Sequence, residues 1–198
     1  MSPILGIWAS SKVSATPDTG AMFPLQVITV GAAGASSVTL SNIPSTYSHL
    51  QIRTFVRTNR STYNVDVMLA KFNNDSTSSN YARHNLYANN NNFPGTVTAE
   101  GSANALAPLY ISANNGSAPF SAYIIDILDY ANTNKYKTMR ALGGADSNGD
   151  VSGFSTTIMF ASQLWKSTNA ITSVTFTPEY GTLFNQYSQF AIYGVKNA

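Results

Sequence analysis

Side chains suited to acid–base chemistry are scarce in this chain of 198 residues. His49 and His84 are the only histidines, and there is no cysteine, which excludes thiolate catalysis, Cys-ligated zinc and a disulfide framework. Neither histidine lies in a HExxH motif or in a two-histidine metal spacing, and no G-x-S-x-G motif accompanies them. Both are interpreted as hydrogen-bonded or exposed side chains. We therefore expect a protein that is not an enzyme, with no catalytic residue, no metal ligand and no cofactor.

The one close pair of acids inside a strand-like run is Asp126 with Asp129. Because successive strand residues point to opposite faces, acids three positions apart cannot easily converge as an acid–base pair. Lys135, Lys137 and Arg140 follow and are the expected salt-bridge partners. The segment predicts a hairpin, with strands over 123–130 and 135–140 and a turn over 131–134. Its first arm does not alternate cleanly, so we expect part of it to be buried on both faces.

Residues 146–150 read Asp-Ser-Asn-Gly-Asp, which places oxygen-bearing side chains at alternate positions, as at the start of a calcium loop. The glycine comes too early, and Thr157 stands where a bidentate glutamate should close the site. A plain turn is favoured over a weak calcium site.

Arg53, Arg57 and Arg60, interleaved with Phe55, could stack on and neutralise a nucleic-acid strand. The formal net charge is only +2, however, and just 10% of the residues are charged, whereas nucleic-acid binders usually carry a basic stripe. Asp66 on the next predicted strand is an available partner for one arginine. A solvated or salt-bridged sheet face is the favoured interpretation, with no nucleic-acid partner.

Tyr81, Tyr87 and Phe93 lie in a stretch rich in asparagine. Exposed aromatic rings beside amides suit glycan recognition, since a ring covers the apolar face of a sugar while amides bind its hydroxyls. The same three residues could instead form a loop over the core or a subunit interface.

Period-two alternation dominates the chain. In residues 50–57 (LQIRTFVR), Leu50, Ile52 and Val56 share one parity while Gln51 and the arginines share the other, which is typical of a half-buried strand. Clusters of Asn, Asp and Gly separate such runs and mark tight turns. The pattern predicts an all-β fold, an antiparallel β-sandwich of jelly-roll type.

The first residues differ from the remainder. Residues 1–24 are predicted to be an extended N-terminal arm or linker, and residues 25–198 one β-sandwich domain. The arm carries Ile4, Leu5, Ile7 and Trp8 before a small, polar, turn-prone segment. These four side chains are expected either to fold back on the domain or to dock on a partner or a neighbouring subunit. No segment is long and apolar enough to predict insertion into a membrane.

Several segments resemble a family of tailed-bacteriophage structural proteins from marine and freshwater phages, known as minor structural, tail-fibre or decoration proteins. They are residues 125–138 (IDILDYANTNKYKT), 30–40 (VGAAGASSVTL), 43–53 (IPSTYSHLQIR), 190–196 (FAIYGVK) and 3–10 (PILGIWAS). The hairpin segment is the most specific of them. The resemblance implies a component of the virion surface, made in the host cytoplasm, and a homo-oligomer, with a trimer favoured.

The sequence and the resemblance together lead to two functional expectations. The first is a structural virion protein that binds other capsid or tail proteins, as a capsid decoration (cement) protein or as a tail or fibre attachment module anchored by the arm. The alternative is a receptor-binding adhesin for host attachment, which recognises host-surface polysaccharide through Tyr81, Tyr87 and Phe93. An enzyme such as a depolymerase ranks third, because isolated acids and two histidines form no catalytic constellation.

Overall fold

The computed structural model describes residues 21–89, 94–100, 109–113, 119–146 and 157–196. Twelve strands account for most of this part of the chain, and the short 3-10 turn Ser78–Asn80 is its one helical element. The strands are β1 (Met22–Thr29), β2 (Val38–Leu40), β3 (His49–Thr58), β4 (Val65–Phe72), β5 (Tyr81–Asn89), β6 (Pro94–Glu100), β7 (Leu109–Ala113), β8 (Ser121–Leu128), β9 (Lys137–Ala145), β10 (Thr157–Trp165), β11 (Val174–Pro178) and β12 (Gln189–Val195).

The strands form two arrays that meet at β3. Eight of them make a large antiparallel sheet in the order β1-β12-β3-β8-β9-β10-β5-β6, and β2-β11-β4-β7 make a small sheet. The two join where β7 runs parallel to the end of β3, opposite Arg57 and Thr58. The predicted all-β fold is confirmed, whereas the predicted jelly-roll type of antiparallel β-sandwich is not.

The core lies between the small sheet and one face of the large sheet, which we call its inner face. Phe176 of β11 packs against Phe190 of β12 with ring centroids 5.2 Å apart, and Phe72 of β4 packs against Trp165 of β10 at 5.7 Å. All four side chains are buried. Such ring pairs add to the stability that burial of apolar surface supplies.

The predicted hairpin is present as β8 and β9, and its turn is held by two lysines in different ways. Lys135 pairs with Asp129, with 3.2 Å between Nζ and Oδ2, as expected. Lys137 is buried, and its Nζ donates to the backbone carbonyls of Asn132, Lys135 and Thr168. Burial lowers the pKa of Lys137. The expected salt bridge is therefore made by Lys135, while Lys137 ties the turn to the segment after β10.

The first strand begins at Met22, so Met22 to Pro24, which the sequence places in the arm, pair with β12. The register shifts between Pro24 and Gln26, where proline has no N–H to donate to the ladder. The arm residues Ile4, Leu5, Ile7 and Trp8 lie outside the described residues.

Candidate protein-binding face

The outer face of the large sheet, which points away from the core, carries an apolar row that crosses four strands. Ile124 of β8 stands opposite Leu142 of β9, which stands opposite Phe160 of β10, which in turn stands opposite Leu86 of β5. Arg53 of β3 continues the row on the other side of Ile124. Apolar side chains here are unusual, because the solvent face of an antiparallel sheet is normally polar.

A second row lies two residues further along the strands and contains small residues between large ones. Phe55, Ala122, Gly144 and Ile158 are neighbours across β3, β8, β9 and β10. A Cβ at Gly144 would approach the Thr157 carbonyl oxygen to 2.0 Å, so the close approach of β9 and β10 requires glycine. The small residues leave an open, mostly apolar depression of about 590 Å³.

We call the two rows together the apolar face. Its six large side chains are Phe55, Leu86, Ile124, Leu142, Ile158 and Phe160, each between 46% and 62% exposed. The sequence predicts that part of the first hairpin arm is buried on both faces, whereas in β8 the buried residues alternate with exposed or half-buried ones and Ile124 is exposed. The apolar residues of β8 on both faces nevertheless suit a strand whose outer face is buried by a binding partner.

A polar row borders the apolar face on one side. Asp126 of β8 stands opposite Arg140 of β9 and accepts a hydrogen bond from Gln51 Nε2 at 2.9 Å. The row continues through Ser162 of β10 to His84 of β5. An apolar centre with a polar margin is the usual anatomy of a protein–protein interface.

The three arginines of interest each lie over an aromatic ring. Arg53 lies over Tyr193, with 5.6 Å from its guanidinium carbon to the ring centroid, and Arg57 lies over Phe120 at 4.8 Å. Cation–π contacts of this kind hold a guanidinium group against an aromatic ring, and each stabilises the folded state only modestly.

Arg60 sits between two exposed tyrosines at the opposite end of β3 from His49. Its guanidinium carbon is 4.6 Å from the ring centroid of Tyr63 and 4.4 Å from that of Tyr180, and its Nη1 donates to the Val65 carbonyl oxygen. We call Arg60, Tyr63 and Tyr180 the tyrosine–arginine cluster.

Asp66, which the sequence predicts to pair with one of the arginines, is fully buried instead. Its Oδ1 accepts from the backbone N–H groups of Val67 and Tyr180, and its Oδ2 accepts from Thr58 Oγ1 and the N–H of Gly181. Four donors compensate the cost of burying the carboxylate. Asp66 thereby holds the loop that carries Tyr180 against β4.

The predicted glycan contacts do not form one exposed group. Tyr81 is 2% exposed, and its hydroxyl accepts from the Phe72 N–H and donates to the Asp75 carbonyl oxygen. Burial raises the pKa of Tyr81 to about 12. Tyr87 is half-buried, edge-on to Tyr110, and Phe93 lies outside the described residues. The expected exposure is therefore wrong for Tyr81, because its parity in β5 points to the core.

The two histidines are far apart. His49 Nδ1 accepts a hydrogen bond from the Asp129 N–H at 3.0 Å. His84 is exposed in β5, four strands from β3, or about 19 Å at the usual strand spacing. The part of the chain that the structure describes contains no group of three His, Asp or Glu residues able to hold a metal ion. Of the calcium-like segment, only Asp146 is described.

Among the described residues no helix is long and apolar enough to cross a membrane. Comparison with family models, with curated proteins and with solved structures finds no match to this chain.

Proposed function

We propose that this chain is a non-enzymatic structural protein of a bacteriophage particle that binds other virion proteins through the apolar face. It would serve at the particle surface, as a capsid decoration (cement) protein or as a tail or fibre attachment module. The observation that carries the proposal is the apolar face itself. The resemblance of the sequence to phage structural proteins supports the virion location.

The size of the apolar face argues for a contact surface. Its six half-exposed side chains present on the order of 600 Å² of apolar area, the upper end of what a soluble monomer usually exposes. The depression over Gly144 gives a partner side chain a place to insert, and inserted anchors carry much of the energy of an interface. Apolar contacts of this kind between copies of the chain would also form the proposed homo-oligomer, for which the resemblance favours a trimer.

Two features support a non-enzymatic role. The buried ionisable groups Asp66 and Lys137 are fully engaged with backbone and hydroxyl partners. In the polar row, Asp126, Arg140 and His84 lie on β8, β9 and β5, with Ser162 of β10 between Arg140 and His84. Acid–base catalysis needs two such groups aimed at one reacting atom.

The test is incorporation into particles by a chain carrying Leu142→Thr and Phe160→Thr. Threonine is β-branched, which suits a strand, and the replacement removes most of the exposed apolar area at the two positions. We expect the copy number per particle, measured against the major capsid protein by quantitative mass spectrometry, to fall at least tenfold. The control is Tyr136→Ser, which removes an equally exposed ring (54%) from the β8–β9 turn. Unchanged incorporation of the double variant would refute the proposal.

The copy number of the unaltered chain locates it on the particle. A number comparable to that of the major capsid protein supports a decoration role, and a small number per particle supports a tail or fibre position.

The second candidate function is a receptor-binding adhesin. The tyrosine–arginine cluster suits glycan contact better than Tyr81 and Tyr87, which the sequence predicts for that role. Tyr63 and Tyr180 are each 57% exposed, and the amide of Asn59 is nearby, held by Thr182. Exposed rings beside an amide suit a sugar. Binding to host-surface polysaccharide that disappears in Tyr63→Ala with Tyr180→Ala, and persists in Tyr136→Ser, would establish this candidate.

A further inference from the structure

We propose that the protein bound by the apolar face is a second copy of this chain, and that the two copies pack outer face against outer face about a two-fold axis. The axis lies in the plane of the contact, perpendicular to the strands, between the row of Leu142 and the row of Gly144. Sheets that pack face to face about 10 Å apart are common in β proteins. The pairing does not depend on the particle, whereas its presence in the virion rests on the proposed function.

The two rows of the apolar face complement each other in size under this symmetry. The rotation places each strand over the same strand of the second copy but reverses its direction, so each row faces the other row. On β9, Leu142 therefore faces Gly144 of the second copy, where the depression of about 590 Å³ can receive it. The remaining facing pairs are Ile124 with Ala122, Leu86 with Ala88, Phe160 with Ile158, and Arg53 with Phe55. A large residue thus meets Ala or Gly on β5, β8 and β9, which makes the face self-complementary, as an isologous contact requires.

The charged residues at the two margins of the apolar face match as well. One margin is the polar row, with Asp126 on β8 and Arg140 on β9. At the other margin Asp146 follows β9 and lines the depression, and Arg57 lies over the ring of Phe120, just before β8. The rotation places Arg140 over Asp146 of the second copy. It also places Asp126 over Arg57 of the second copy, and symmetry repeats both contacts.

The same residues disfavour the other simple face-to-face arrangement. A two-fold axis parallel to the strands and above β9 would place Arg140 opposite Arg140 of the second copy, and like charges opposed across an interface are unfavourable. It would also place Gly144 opposite Gly144, which leaves a void where close packing is needed. The perpendicular axis avoids both defects.

The area of the apolar face suits a pair of identical chains. Two faces of roughly 600 Å² each bury on the order of 1,200 Å² of apolar area. This reaches the range of about 1,200–2,000 Å² that specific interfaces bury in total, before the polar margins are added. Because an isologous contact joins copies in twos, this contact makes a dimer and not the trimer that the resemblance favours.

Charge reversal in the purified full chain tests the pairing. Sedimentation equilibrium of the unaltered protein should give twice the mass of one chain. Arg140→Asp alone, or Asp146→Arg alone, places like charges opposite each other and should raise the dissociation constant of the pair about tenfold or more. The two changes together restore opposite charges, so the dissociation constant should return to within about threefold of the parent value.

The double reversal separates the contact between copies from effects within one chain. Arg140→Asp places an acid opposite Asp126 of its own chain, but the doubly reversed variant keeps that change, so its recovery must come from the second copy. The control is Lys135→Asp, which changes the net charge equally at an exposed site in the β8–β9 turn and should leave the dissociation constant unchanged. Circular dichroism checks that each variant is folded.

A mass of one chain or of three chains for the unaltered protein would overturn the proposal. So would a double reversal that does not recover, or a Lys135→Asp variant that pairs as weakly as Arg140→Asp. No particle is present in this measurement, so its outcome is independent of the incorporation test. A chain that pairs in solution, but whose Leu142→Thr, Phe160→Thr variant is incorporated normally, would refute the proposed function and leave the pairing standing.

Discussion

Replacement of Asp66 by Asn tests whether the buried carboxylate holds the tyrosine–arginine cluster in place. Asn has the same shape, and its amide oxygen can still accept from the N–H groups of Val67 and Tyr180, as Oδ1 does at 2.7 and 3.1 Å. In the unaltered protein the N–H of Gly181 donates to Oδ2 at 2.9 Å. In the variant the amide nitrogen takes the place of Oδ2, so two donors face each other. Thr58 can turn its hydroxyl to accept, but the Gly181 N–H cannot change its role.

The cost follows from these contacts. Leaving the Gly181 N–H unsatisfied costs about 1–3 kcal/mol, and the loss of charge from the remaining hydrogen bonds adds to it, for a total of about 3 kcal/mol. For a chain of this length that corresponds to a fall in Tm of about 6–12 °C. The measurement is chemical and thermal unfolding followed by circular dichroism.

Asp126→Asn is the matched control. Asp126 lies in the polar row and accepts from Gln51 on the sheet surface, where such an interaction contributes at most about 1 kcal/mol. Equal stability losses in the two variants, or a loss under about 1 kcal/mol for Asp66→Asn, would refute the account of Asp66 as the anchor of its loop.

Three further outcomes follow from other buried contacts. Lys137→Met should lower the free energy of unfolding by about 3 kcal/mol, because three carbonyls lose a charged donor. A urea titration that shows the same free energy of unfolding for variant and parent would contradict this prediction. Burial, with Asp66 close by, raises the pKa of Glu179 above its ordinary value of 4.5, so the folded state loses stability as pH rises through that raised pKa. Glu179→Gln should remove this loss. The free energy of unfolding of the variant, relative to that of the parent, should therefore increase from pH 4 to pH 7. Gly144→Ala should destabilise the chain by more than about 2 kcal/mol, since its Cβ would meet the Thr157 carbonyl, and a Tm equal to that of the parent would show that β9 and β10 can separate without cost.

Much of the fold is predictable from the sequence because its signals are local. The alternation in residues 50–57 corresponds to β3, with Leu50, Ile52 and Val56 buried and Arg53 exposed. The hairpin of β8 and β9 follows from a turn flanked by complementary charges, and the pair of Asp129 and Lys135 is as expected. Side-chain parity and turn chemistry act over a few residues, so no knowledge of distant partners is needed.

The candidate site was less predictable, because neighbouring residues in its strands have similar polarity. Some of these strands carry apolar residues on both faces, and others carry polar residues on both faces. In β5, Asn85 points inward while His84 and Leu86 point outward, so the pattern could not show that Tyr81 belongs to the core. In β8, Ile124 and Ile125 are equally apolar, yet only Ile125 is buried. Periodicity cannot assign the faces of such a strand.

The sequence by itself determined that this chain is all-β, where its principal hairpin lies, and that cysteine chemistry is excluded, since composition and local alternation suffice for each. Only the tertiary structure decided which side of the large sheet the small sheet covers, because that choice depends on pairings such as β3 with β12 that join residues far apart in the chain. Once the small sheet covers the inner face, Ile124, Leu142, Ile158 and Phe160 are left on the outer face. Burial by partners distant in sequence, and not residue type, distinguishes core from candidate binding surface here.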